Sequence, residues 1–203
     1  MPEARFTLER LKTHSAAIRA DAARILRSRA QTIDEELRAF SDFGDALEAE
    51  PASLQRNVKL LLACKFLNHV YSALLLAENG LIVDAVLCER NALETLAFHW
   101  LVCLDPNAAE EYNTQEIPRP VHVRKRLENL GVDIFHIREL YASASEVSHV
   151  GRPSERFHGD WTSPVDGKLL FAGSHSTEDQ TEMFTFLPAL LRLFKEPLMA
   201  NGL

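Results

Sequence analysis

The stretch Gly80 to Asp105, GLIVDAVLCERNALETLAFHWLVCLD, decides how this chain is read: a nearly all-apolar helix interrupted by Glu89, Arg90 and Glu94. At 100° per residue, Arg90 and Glu94 fall in the same arc as Val83, Leu87, Ala97 and Leu101. The solvent-like sector of that wheel holds only Asp84, Asn91 and Thr95. Charges in an apolar arc need partners or a ligand, and the residues leave both readings open. Arg90 and Glu94, four apart, can pair within the helix, although this order of signs is the weaker one. Alternatively, Arg90 presents its guanidinium fork to an anionic ligand and Glu94 orients it. Glu89 has no role in either reading beyond answering a basic side chain elsewhere.

Outward from this helix, the chain reads as helices throughout. A preceding helix over about 52–78 is also apolar, with Lys65, Asn68, His69 and Ser72 gathered in one sector. Asn79 and Gly80 end it with a left-handed cap, which makes the two helices antiparallel neighbours at the centre of a bundle. Before them, a segment from about Thr7 to Leu47 repeats apolar residues at helical spacing, Leu8 through Phe40, as one long or two consecutive helices, with a break marked by Asp42–Asp45, Gly44 and then Pro51. After Asp105, a peripheral stretch to Leu130 holds two short helices separated at Pro118 and Pro120. Asp133 then caps an amphipathic helix reaching about Val150.

Residues 151–176 change character, with Gly159, Pro164, Gly167 and Gly173 punctuating them; a small β-hairpin or ordered loop insertion fits. Thr177 and Gln180 suit a capping box for a last helix to about 200, kinked at Pro188. The expectation is an all-α bundle in a single domain over 1–203, with its core bundle at about 52–150.

Composition narrows the function. With 46% hydrophobic and 25% charged residues, the 203-residue chain is ordinary globular material able to bury one core. A net charge of −7 argues against broad nucleic-acid binding; the basic run RPVHVRKR, Arg119 to Arg126, reads as an exposed helix start. Cys64, Cys88 and Cys103 show no CxxC spacing and read as reduced core residues of a cytoplasmic protein, with no signal or membrane segment expected. No cofactor is expected. His149, His158, Asp160 and His175 match no recognised ligand spacing, so no metal is expected either.

The second candidate site is the helix RELYASASEVSH, in which Arg138, Tyr141, Ser145 and His149 share an arc of about 80°. Ser145 and His149 at i, i+4 can hydrogen-bond, yet no acid within reading distance orients the histidine.

The combination of AVLCERNALETLAFHWLVCLDP after Gly80 with LYASASEVSHVGRP resembles the HEPN-like superfamily of bacterial all-helical proteins over about half the chain, Val58 to Pro153. Arg90 and Glu94 match that group's Arg/Glu pair, and Tyr141, Ser145 and His149 its later polar run. The resemblance implies a helical bundle, often homodimeric, with links to ribonuclease toxins, phage defence or RNA processing. Ribonuclease members carry an arginine and a histidine four to six residues apart near a helix end. His149 has no such arginine here; Arg152 and His158 have the spacing, but Pro153 would end the helix. The leading expectation is therefore a binding or regulatory module. It is homodimeric through exposed apolar helix faces, and Arg90, Glu94, His69, Tyr141 and Ser145 line a crevice. A protein partner is compatible with this reading, and RNA is not favoured. The rival is a metal-independent ribonuclease with His149 or His158 as general acid or base and Arg138 or Arg152 stabilising the transition state.

Overall fold

A computed structural model describes residues 8–148, 159–161, 167–169 and 177–194. Seven helices are described: α1 (Leu8–Ala49), α2 (Leu54–Glu78), α3 (Ile82–Leu104), α4 (Asn107–Asn113), α5 (Pro120–Asn129), α6 (Phe135–Ser148) and α7 (Thr177–Leu193). The chain is all-α in its main body.

The pairing of α2 with α3 is the most extensive in the molecule, and the short link between them makes it antiparallel. Sequence chemistry sets its corner. Ser53 accepts a hydrogen bond from the backbone N–H of Arg56 and starts α2. Gly80, at φ 77°, provides the left-handed turn between Asn79 and α3 that a side chain would strain. Around this pair, α1 and α7 pack on one another and on α2, while α5 and α6 pack on α3.

An aromatic cluster joins these layers. Phe66 of α2 packs tilted against Phe194, just past α7, with ring centroids 4.4 Å apart, and lies near-parallel to Phe40 of α1 at 6.0 Å. Phe194 also stacks on His99 of α3 at 4.2 Å.

Two expectations need correction. Of the two break signals, Pro51 does mark the end of α1 but Asp42–Asp45 does not: the helix runs unbroken through Gly44 to Ala49. A helical glycine costs only about 1 kcal/mol, which the burial of Phe40 and Leu47 on either side outweighs. Gln180, in the first turn of α7, donates its buried amide to the carbonyl of Ala77 and ties α7 to the end of α2. Finally, the basic run 119–126 is not simply a solvated helix start, as the side chains of Arg124 and Arg126 show below. By contrast, Asp133 does accept the backbone N–H of Phe135 at the start of α6. The hairpin or loop expected at 151–176 lies mostly outside the described residues.

Candidate functional site

The site is built where α6 docks on α3. Arg90 and Glu94 stand one turn apart on α3, with an N–O separation of 3.5 Å, which alone is a loose pair. Tyr141 of α6 completes it. Its hydroxyl accepts from Arg90 Nη2 at 2.8 Å and Nε at 3.2 Å, and donates to Glu94 Oε1 at 2.9 Å. The phenol thus relays between cation and anion, taking a proton donor on one side and an acceptor on the other. Both charged side chains are about three-quarters buried, so the hydroxyl also satisfies polar groups that water reaches poorly. From the other side, the guanidinium of Arg124 on α5 lies 4.2 Å from the Tyr141 ring centroid, a cation–π contact. Sequence reading put Arg90, Glu94 and Tyr141 together; it missed Arg124, for which no local signal exists.

Glu94 and His69 share a cleft of about 370 Å³ between α2, α3, α4 and α5. Lys65, Asn91 and Thr95 add polar groups to its lining, and Phe98, Tyr112, Ile117, Pro118 and Pro120 form its apolar walls. Phe98 and Tyr112 hold their rings 5.9 Å apart. His69 titrates below the usual histidine range because it is half-buried and beside Lys65, with Glu94 opposing. At neutral pH its imidazole is therefore uncharged, with one ring nitrogen donating and the other accepting.

Arg126 fixes the cleft's outer wall. It donates to Glu111 of α4 at 2.6 Å and to Asp105, at the end of α3, at 2.5 Å. The hydrogen bond from Arg126 is the main cause holding the Asp105 carboxyl below its ordinary range. One arginine therefore clasps three elements around the loop that carries Ile117 and Pro118.

The remaining candidates fall elsewhere. Arg138 is exposed and bonded to Glu128, away from the Tyr141 junction. Ser145 follows Tyr141 by one turn and is half-buried with an interaction of its own. His149, Arg152 and His158 lie outside the described residues. Among the described residues, no group of three or more His, Cys, Asp or Glu side chains is placed to hold a metal ion. Cys103 has its thiol pushed up to about 11 by burial, which keeps it protonated and unreactive at neutral pH.

Of the three charges on α3, Glu89 is the buried one at 6% exposed, while Arg90 and Glu94 are part-buried and only Glu94 lines the cleft; Thr95, assigned to solvent, is buried, and Leu87, assigned to the core, is exposed. No basic side chain answers Glu89 among the described residues: its Oε1 is buried without a hydrogen bond. Burial first, and then Glu182, raise its carboxyl well above 4.5. A raised acid keeps its proton in the folded state where the unfolded chain has lost it, so stability falls as pH rises above about 4.5. Glu89→Gln is expected to raise the unfolding free energy at pH 8 by about 1 kcal/mol or more, and to flatten that decline. Urea unfolding of both proteins at pH 5 and pH 8 checks this.

Set against known proteins, the chain stands apart: no family profile matches it, and no curated protein or solved structure is significantly similar.

Proposed function

We propose that this chain is a cytoplasmic, HEPN-like binding or regulatory module that takes a small molecule into the Glu94–His69 cleft without turnover. One observation carries the reading: Glu94 is held by Tyr141 and Arg90 while it lines, with His69, a cleft that is apolar on its opposite wall. An ion pair kept only for the fold has no need of such a cleft beside it. Ligand sites are built this way, from apolar walls and a few placed polar groups.

The chemistry of the lining favours a particular ligand. Arg90 offsets the charge of Glu94, and His69 is neutral, so the polar end suits an uncharged head with both donors and acceptors. The aromatic and proline walls suit a flat apolar body. An aromatic amide has both features. Saturation-transfer NMR with benzamide, benzoate and benzylamine tests this. Benzamide is expected to bind best, and the double variant His69→Ala/Glu94→Gln is expected to weaken it by about tenfold, the loss of roughly one net hydrogen bond. Equal binding to the wild type and the double variant would overturn the reading. So would growth arrest on overexpression that His149→Ala or His158→Ala relieves, which would point to RNA cleavage.

The same proposal includes a small hairpin within 151–176. Antiparallel pairing of Gly159–Trp161 with Gly167–Leu169, with Asp160 opposite Lys168, supports it.

A further inference from the structure

Two charged side chains line the Glu94–His69 cleft, and only one of them is answered. Glu94 has its charge offset, since Tyr141 donates to its Oε1 and Arg90 lies 3.5 Å from the same oxygen. Lys65, at the rim, makes no ion pair or hydrogen bond among the described residues. Arg124 of α5 adds a second uncompensated cation. It follows the lining residue Val123, and its guanidinium rests on the Tyr141 ring without meeting a carboxylate among the described residues. The acids of α4 do not balance this pair: Glu111 is bound to Arg126, and Glu110 and Glu116 are exposed outside the lining.

The order of residues along the walls places Lys65. Leu62, Lys65 and His69 are spaced three and four, so they present one face of α2 to the cleft. The two central helices run antiparallel from Gly80, which brings His69 level with Asn91 at one end and Leu62 level with Phe98 at the other. Lys65 stands between, about 6 Å along the helix from His69. That is the span between para substituents of a benzene ring. A neutral head held by His69 and Glu94, with its ring against Phe98 and Tyr112, brings a para substituent alongside the Lys65 ammonium.

We infer that the ligand is an aromatic amide acid: besides its amide head it carries an anionic group, such as a carboxylate, that Lys65 holds at the far side of the ring. This rests on the small-molecule reading above and names the ligand class more closely. The groove of about 310 Å³ between α1, α2 and α7, lined by Ile33, Leu37, Leu67 and Leu187 among others, has no charged side chain and offers an acid nothing.

The test is calorimetric titration of the full chain at low salt with benzamide, 4-carbamoylbenzoate and 4-(aminomethyl)benzamide, the last two carrying opposite charges at the para position. The carboxylate is expected to bind about threefold tighter than benzamide, the scale of one exposed ion pair, and the amine more weakly. Lys65→Gln is expected to erase the carboxylate's advantage over benzamide, Lys65→Arg to retain it, and about 1 M sodium chloride to remove it by screening. Benzamide binding with no gain from the carboxylate, a gain that Lys65→Gln keeps, or a preference for the amine would overturn this inference and leave the small-molecule reading standing. Binding of none of the three compounds would overturn both.

Discussion

Phe66→Ala is expected to lower the unfolding free energy by about 3–5 kcal/mol, within the range for removing a large aromatic from a packed interior. Phe66 is fully buried and touches the rings of Phe194 and Phe40, so its loss opens a cavity where α1, α2 and α7 meet. The hole cannot close easily, because Phe194 is also held against His99 and Phe43. On the opposite face of the same helix, Leu61→Ala is expected to leave the melting of dilute, monomeric protein nearly unchanged. Urea unfolding of the two variants side by side reads the difference, and equal losses would contradict this account of which face of α2 is the core.

The second large effect is acid lability through His99. Its ring is wholly buried between Phe194 and Phe43, with Nε2 3.5 Å from Cys103 Sγ and Nδ1 without a partner. Burial lowers its pKa from 6.5 to about 3, with Lys59 adding to the effect. The unfolded chain takes up a proton below pH 6.5 that the folded one refuses until about pH 3, so stability is lost as pH falls through that window. From pH 6.5 to 4 the loss from this residue is expected to be about 3 kcal/mol, at roughly 1 kcal/mol or more per pH unit. His99→Phe keeps a ring in the stack and removes the proton site. Its stability is expected to fall less steeply than that of the wild type over this range, and parallel curves from urea unfolding would refute the assignment. Glu89 acts with the opposite sign at higher pH, so the two buried groups together favour a stability maximum on the mildly acidic side of neutrality.

The bundle was legible because its boundaries are written in local chemistry. Gly80, Gly131, Asp133 and the prolines near 118–120 each carry a backbone preference that no packing overrides. The orientation of α3 was not legible for the opposite reason. From Ala92 to Val102 nearly every residue of α3 is buried, whichever side it faces, since other helices surround it. A helix apolar all round has no outward side for a wheel to find. The wheel therefore took Thr95 for a surface residue and Leu87 for a core residue, when the reverse burial holds. Arg90, Glu94 and Tyr141 were recognisable because a one-turn charge pair and a polar face on another helix are local patterns. Arg124 and Arg126 were not, since their partners Tyr141, Asp105 and Glu111 lie up to 21 residues away in sequence and are brought near only by the turns on either side of α5.

The most direct test of the central claim is to follow methyl resonances of the full chain during titration with benzamide. The account predicts shifts at Leu62, Thr95, Ile117 and Val123, which surround Glu94 and His69, and no shifts at Ile33, Leu37 or Leu187 in the groove beside α1. Shifts confined to that groove, or none at either place, would contradict it.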